Sequence, residues 1–126
     1  MADTGINANK ELAVDFLQLV VAGKIDEAYN KHVELSGKHH NAFFPAGFRA
    51  LQQAMQEDHV QSPDKHITVV NVIAENDLVA VHSHLVRGAD HMAVVHLFRC
   101  RNNKIVELWD CGQVLPPDSP NIDGAF

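Results

Sequence analysis

The hydrophobic period of this chain changes once, at His66, and that change restricts the folds open to it. Before His66, apolar residues recur every three or four positions, which is typical of amphipathic helices. After His66, segments rich in Val and Ile follow the two-residue period of β-strands. Helices gathered in the first half and antiparallel strands in the second predict an α+β domain.

Three helices are predicted before the change. The first has an apolar stripe, the second begins near Asp26, and Pro45 fits the first turn of the third. The stripe of the first helix consists of Leu12, Phe16, Leu19 and Val20. The polar segment 36–41 predicts a loop or a short extended piece. We expect one domain over residues 1–126, with a flexible N-terminus (1–8) and a C-terminal tail (116–126) whose Phe126 docks on the body.

Four strands are predicted after the change, over 67–74, 78–86 and the two arms of a hairpin within 92–114. Asn102-Asn103-Lys104 is a polar turn of the kind that closes such a hairpin. A strongly curved sheet with the helices across its concave side would enclose an apolar pocket. The predicted architecture is therefore a cone-shaped, antiparallel or mixed sheet wrapped by N-terminal helices.

Charge and composition exclude several classes of partner. The formal net charge of −6 argues against nucleic acid and anionic membranes, which select for basic patches. No apolar run reaches the roughly 18 residues that span a bilayer, and Met1–Ile6 lacks the features of a signal peptide. Cys100 and Cys111 lack zinc-site spacing, and we expect a cytoplasmic chain to keep them reduced.

Asp110 is the leading candidate for chemistry. Strand residues alternate between two faces, so Asp110 shares a face with Val106 and Leu108, while Glu107 lies on the other face with Trp109 and Cys111. Because Glu107 prefers water, its face should be the outer one. An acid among aliphatic side chains has a raised pKa unless a partner holds its charge. We therefore expect Asp110 to point inward as a general acid or base.

Nine histidines are many for a chain of this length. His82 and His84 share one face of a strand, and His96 lies between Val94 and Phe98 on the next. If both faces are concave, three imidazoles converge on Asp110. The alternatives are a metal site made by these imidazoles and solvent-facing positions with no role. The chain has neither an HExxH motif nor a nucleotide-binding glycine loop, so we expect no metal and no cofactor.

The order of these segments resembles SnoaL-like proteins, the polyketide-cyclase branch of the nuclear-transport-factor-2-like superfamily. The resemblance extends from about Asn9 to Phe126 and is carried by helix–helix–His40-Asn41–helix and three strand segments. These are VAVHSH (Val79–His84), AVVHLFR (Ala93–Arg99) and KIVELWD (Lys104–Asp110). It implies a cone-shaped α+β fold with an apolar cavity, often dimerising through the outer sheet face.

The resemblance also implies a role for Asp110. In the cyclases, an inward Asp on the last strand is the general acid and base of an intramolecular aldol closure, and Asp110 matches that position. His82-Ser83-His84 stands where related epoxide hydrolases of the limonene type carry Arg-x-Asp, and His96 stands where many relatives carry an acid.

We therefore expect an aldol-type cyclase or isomerase that transfers protons on an apolar carbonyl compound. Asp110 would be the base, and His82 or His84 would polarise the carbonyl. A non-catalytic module that binds a small ligand, and a hydratase or dehydratase with an Asp–His pair, are the alternatives. We expect a homodimer formed by the outer sheet face around Val95, Leu97 and Trp109. The residues expected to bind substrate are His40, Asn41, His96, Phe98, Phe16 and Leu108.

Overall fold

The computed structural model describes residues 3–126, with side chains from residue 5 onward. These residues form three helices and five strands. The helices are α1 (Asp3–Val21), α2 (Ile25–His32) and α3 (Phe48–Gln61). The strands are β1 (Val33–His39), β2 (His66–Glu75), β3 (Leu78–Arg87), β4 (Asp90–Arg101) and β5 (Lys104–Val114). Among them, no helix is both long and apolar enough to cross a bilayer.

The five strands form one open sheet in the order β1-β5-β4-β3-β2. Strands β2 to β5 pair antiparallel, and β1 pairs parallel with β5. The α+β architecture is confirmed, but the sheet has five strands rather than four. The additional strand β1 includes most of the polar segment 36–41, so the extended piece is the alternative that the structure shows for it. It lies at the sheet edge with most of its residues exposed, so its sequence lacks the apolar alternation of a half-buried strand.

Strand β5 contains a β-bulge at Val106 that decides which of its side chains face the helices. Cys100 of β4 pairs with Ile105, whereas Arg99 pairs with Glu107, so Val106 is the extra residue. Both Ile105 and Leu108 are buried, although an uninterrupted strand would place them on opposite faces. The bulge therefore returns Leu108 and Asp110 to the inner face.

Gly37 allows β1 to lie close against this bulge. A Cβ atom built on Gly37 would lie 2.2 Å from the carbonyl oxygen of Val106 and 2.9 Å from the ring of Phe48. Neither contact is possible for a real side chain, and the first is with backbone that cannot move away without disturbing the sheet. Only glycine fits this position of β1.

Two helix boundaries differ from the predictions. Helix α1 begins at Asp3, within the N-terminal segment 1–8, and residues 1–2 lie outside the described part of the chain. Helix α3 begins at Phe48, not at Pro45. Pro45 instead belongs to the preceding loop, where its carbonyl oxygen accepts a hydrogen bond from His39.

The apolar sides of the helices pack on the inner face of the sheet. Phe16 is central, because its ring makes edge-to-face contacts with Tyr29 at 5.5 Å and with Phe98 at 5.8 Å. Tyr29 is almost fully buried, and its hydroxyl lies 3.2 Å from the sulfur of Met55 on α3. Burial raises the pKa of Tyr29 far above its ordinary value, so the phenol stays neutral.

Cross-strand pairing orders the inner face into rows. One row is Val79, Phe98 and Leu108; the next is Val81, His96 and Asp110; the third is Ser83, Val94 and Gly112. The outer face carries a parallel row of Ile73, Ala80, Leu97 and Trp109. The inner-face rows place Asp110 beside His96, and Ser83 in the next row.

The C-terminal tail returns to the sheet, as predicted. The ring of Phe126 stacks on His84 with centroids 4.6 Å apart and tilts over His82 at 5.6 Å. Both histidines are on the outer face, so the tail covers part of the surface that faces away from the helices.

We predict that Gly37→Ala lowers the free energy of unfolding by about 1–3 kcal/mol, because the new methyl group collides with the Val106 carbonyl. Gly5→Ala in α1 is the matched control, since a Cβ there meets nothing within 4 Å, and it should be neutral or slightly stabilising. Urea denaturation of both variants measures the difference. Equal stabilities of the two variants would show that β1 does not need glycine.

Candidate functional site

The candidate site is the pair formed by Asp110 and His96. The two residues are directly opposite each other on β5 and β4, an arrangement that brings Cβ atoms to about 4.5–5.5 Å. Asp110 lies on the inner face, as the strand alternation predicts, and is half-buried. The carboxylate and the imidazole therefore lie side by side on the concave face.

Asn41 holds the Asp110 carboxylate from the other side. Its Nδ2 donates a hydrogen bond of 3.0 Å to Oδ2 of Asp110, and its Oδ1 accepts one of 3.0 Å from the backbone N–H of Phe43. Because Oδ1 must be the acceptor for that N–H, the amide can present only its NH₂ group to Asp110. Asn41 is therefore a directional donor to the carboxylate.

His39 fixes the loop that carries Asn41. Its Nδ1 accepts a hydrogen bond of 3.1 Å from the backbone N–H of Asn41, so its Nε2 carries the proton and donates to the Pro45 carbonyl at 2.8 Å. The sequence pattern gave His39 no part in the site, so this function was not predicted. The only sequence signal was its position two residues before Asn41.

His96 is neutral at physiological pH. Burial lowers its pKa from 6.5 to about 4, and the nearby charge of Asp110 opposes this shift only in part. The residue as a whole is half-buried, but its Nδ1 atom is fully enclosed and has no hydrogen-bond partner among the described residues. A neutral imidazole beside a carboxylate has one N–H to donate to a ligand.

Ser83 is a second polar residue on the inner face that sequence reasoning passed over. It is fully buried, and its Oγ has no hydrogen-bond partner in the described part of the chain. Its pairing with Val94 places it one row away from His96. The sequence showed it only as the residue between two histidines.

The prediction that His82 and His84 converge on Asp110 is wrong. They alternate with Val79, Val81 and Ser83, which face the helices, so both imidazoles are on the outer face. There, His84 Nε2 lies 2.8 Å from His91 Nδ1, and His82 Nδ1 lies 3.1 Å from Asn71 Nδ2. The metal set of His82, His84 and His96 is divided between the two faces and cannot assemble.

His40 is also on the outer face rather than at the mouth of a pocket. Its ring stacks on Trp109 with centroids 5.0 Å apart, and its Nε2 lies 2.6 Å from Glu107 Oε2. The hydrogen bond from His40, with a further one from Arg99, holds the pKa of Glu107 below its ordinary value despite some desolvation. Glu107 faces outward, as predicted.

Phe16, Phe98 and Leu108 are on the concave side but belong to the core. Their exposures are 0%, 0% and 1%, so none has surface left for a ligand in this conformation. Of the six residues expected to bind substrate, only Asn41 and His96 lie beside Asp110 with surface still accessible.

Cavities occur elsewhere on the molecule. The four best-defined concavities of the described residues are not lined by Asp110 or His96. The largest, of about 780 Å³, lies between α1, the end of α2 and the β4–β5 turn. Around Asp110, the inner-face residues Leu85, Met92 and Val94 are half-buried, so the helices cover this end of the sheet incompletely.

Within the described residues, no three or more His, Cys, Asp or Glu side chains are grouped so as to hold a metal ion. Cys100 and Cys111 are both free thiols, the first buried and the second exposed. Burial raises the pKa of Cys100 to about 11, so its thiol stays protonated.

We predict that His96 makes the protein acid-sensitive. Between pH 6.5 and about 4, the unfolded chain binds a proton that folded His96 does not, so stability falls as the pH falls through this window. The loss is of the order of 2–3 kcal/mol. Denaturation of wild type and His96→Gln at several pH values measures it, and the variant should show a smaller loss.

An NMR titration gives the direct control for this prediction. The imidazole signal of His96 should have its midpoint near pH 4. A midpoint near 6.5 would contradict the lowered pKa that burial gives to the ring.

The family of SnoaL-like domains matches this chain over residues 14–108. Curated protein sequences gave no match.

Several solved structures share the fold of this chain. A candidate ketosteroid isomerase from Kribbella flavida has a TM-score of 0.74 at 14% identity, over 91% of this chain and 84% of its own. An NTF-2 like protein from Burkholderia xenovorans has a TM-score of 0.76 at 16% identity, and the match covers 93% of this chain and 91% of that protein. IdmH from Streptomyces antibioticus, a candidate polyketide cyclase, has a TM-score of 0.65 at 19% identity, and the match covers 79% of this chain and 88% of IdmH. These structures share the fold, and the family match over most of the chain confirms the resemblance: this protein belongs to the SnoaL-like domain family.

Proposed function

We propose that this protein is a small-molecule enzyme that moves protons on an apolar carbonyl compound, as an aldol-type cyclase or an isomerase. One observation carries the proposal: Asp110 lies on the inner face, hydrogen-bonded by Asn41 and directly opposite the neutral imidazole of His96. A base and a neutral hydrogen-bond donor on one apolar surface are the two groups that enolisation requires.

Asp110 is the proton acceptor in the proposed reaction. Asn41 binds Oδ2, and no hydrogen bond to the other oxygen, Oδ1, is formed by the described residues. Oδ1 removes a proton from the carbon next to the substrate carbonyl, and the C–H electron pair moves to give an enolate. In an isomerase, Asp110 returns the proton to another carbon. In a cyclase, the enolate carbon attacks a second carbonyl of the same molecule, and the new alkoxide takes the proton from Asp110.

His96 stabilises the enolate oxygen in this scheme. A neutral imidazole donates its N–H without giving up the proton, so it polarises the carbonyl and leaves the proton transfer to Asp110. A protonated imidazole opposite Asp110 would instead form an ion pair and weaken the base. The low pKa of His96, about 4, keeps it in the useful form throughout the neutral range.

The structural neighbours support this class of reaction. Ketosteroid isomerase and polyketide cyclase, the activities in the descriptions of two of them, both act on carbonyl compounds. The alternative of a hydratase or dehydratase needs an Asp–His pair, and Asp110 opposite His96 is the pair that it would use, since the two histidines of β3 are on the outer face.

A non-catalytic module that binds a small ligand is the second candidate. It would use the same polar groups as hydrogen-bond partners only: Asp110 held by Asn41, and the neutral imidazole of His96 opposite. In this case the polar groups would orient a ligand that is never converted.

We predict that Asp110→Asn lowers the rate of proton exchange by about 10²- to 10⁴-fold, the contribution typical of a positioned general base. The measurement is NMR detection of deuterium incorporation next to the carbonyl of β-tetralone, an apolar bicyclic ketone. Glu107→Gln is the control, because it removes a carboxylate from the outer face of the same strand. A wild-type rate equal to that of Asp110→Asn would favour the binding module.

We also propose that the protein forms a homodimer through its outer sheet face. Ile73, Ala80, Leu97 and Trp109 form a row across four strands, and Ile73 is 68% exposed in the single chain. An apolar row on a sheet face is stabilised when a second copy covers it.

We predict that Ile73→Lys shifts the protein toward monomer, because the charge would be buried between two sheets. Val60→Lys on α3 is the matched control, since Val60 is also highly exposed, at 81%, but lies away from the sheet. Sedimentation velocity at micromolar concentration compares the two. A wild type that sediments as a monomer would contradict the dimer.

A further inference from the structure

A second pair of a carboxylate and an imidazole lies on the wall of the largest cavity, away from Asp110. Nε2 of His32, at the end of α2, is 2.6 Å from Oδ2 of Asp15 on α1. This hydrogen bond, with a further one from Lys31, holds the pKa of Asp15 below its ordinary value despite some desolvation. An ionised carboxylate can only accept hydrogen bonds, so Nε2 of His32 is the donor.

The other ring nitrogen of His32, Nδ1, is left for a ligand. The described residues form no hydrogen bond to it, and it is not enclosed by protein as Nδ1 of His59 and His96 are. The residue as a whole is only 8% exposed, yet it lines the cavity. When Nε2 donates to a carboxylate, Nδ1 of the neutral ring is a proton acceptor, and the carboxylate stabilises the charge that a transferred proton brings.

The cavity offers this nitrogen an apolar surrounding of useful size. Its volume is about 780 Å³, enough for a small ring compound. Apolar side chains of α1 and β2 supply part of the wall, namely Leu12, Val14 and Val72. Neither Asp110 nor His96 lines it, so it is separate from the candidate site described above.

The charges of the lining balance. Lys10 and Lys31 contribute two ammonium groups, and Glu11 and Asp15 contribute two carboxylates. A ligand with a permanent charge therefore gains little from this cavity. A neutral ligand that can share a proton with His32 suits it better, because the oxygen that loses the proton is stabilised by the ammonium groups.

We propose that this cavity is a second ligand site, which binds a neutral ring compound with a weakly acidic hydroxyl, a phenol. The hydroxyl donates to Nδ1 of His32, while Asp15 holds the imidazole through Nε2. As the proton moves toward Nδ1, the electron pair of the O–H bond stays on the phenol oxygen. The site does not depend on the reaction proposed for Asp110.

Two matched probes test this inference. 4-Nitrophenol has the acidic hydroxyl, and 4-nitroanisole has the same ring with a methyl ether in its place. Wild type should bind the phenol about 10-fold more tightly, the value of one charge-assisted hydrogen bond, as measured by ligand-observed NMR. His32→Gln should bind the two probes equally, because its amide can still donate to Asp15 but offers no basic nitrogen.

Two further variants complete the test. Asp15→Asn keeps the imidazole and removes the carboxylate, so it should reduce the preference for the phenol and leave binding of 4-nitroanisole unchanged. It tests the same pair even where His32→Gln fails to fold. Asp110→Asn should keep the full preference, since it changes the other site.

Four results would each overturn the inference. They are equal affinities of wild type for the two probes, no binding of either probe, a preference that survives both His32→Gln and Asp15→Asn, and a preference lost in Asp110→Asn. The last would place the phenol on the inner sheet face, beside the proposed base.

Discussion

The structure depends on the contact between the β-bulge of β5 and the edge strand β1. The extra residue, Val106, reverses the alternation of β5, so that Ile105 and Leu108 are both buried and Asp110 follows them onto the inner face. The Val106 carbonyl lies against Gly37, where any side chain would collide with it. A strand that continued without the bulge would turn Asp110 toward solvent on the outer face.

The same contact positions the second half of the site. Strand β1 ends at His39, whose imidazole fixes the following loop, and that loop brings Asn41 to the Asp110 carboxylate. Asn41 and Asp110 are 69 residues apart in the chain and meet only because β1 runs parallel to β5. Sheet pairing at the edge and hydrogen bonding at the site are thus consequences of one packing arrangement.

The distribution of histidines between the faces separates chemistry from surface structure. His96 is on the inner face, where burial keeps its ring neutral. His40, His82 and His84 are on the outer face, where they stack on Trp109 or Phe126 and bond to neighbouring polar groups. Nine histidines in the chain therefore do not form one cluster. Only His96 is paired across the sheet with the candidate base.

The sequence by itself determined the α+β class, the order of the three helices and the four antiparallel strands, the hairpin turn at Asn102-Asn103 and the family. These follow from local patterns: the hydrophobic period, turn residues, and motifs that span a few positions. It also determined which residues share a face, such as His82 with His84, because the period of a strand is two.

Only the tertiary structure decided which face of β3 is the inner one, since alternation alone leaves that choice open. Only the tertiary structure shows that the polar segment before His40 belongs to β1. An exposed edge strand is held by backbone hydrogen bonds, so its sequence has no apolar alternation. The tertiary structure alone joined Asn41 to Asp110 and left Ser83 Oγ without a hydrogen-bond partner among the described residues. Contacts between distant parts of the chain depend on packing, and no local pattern encodes them.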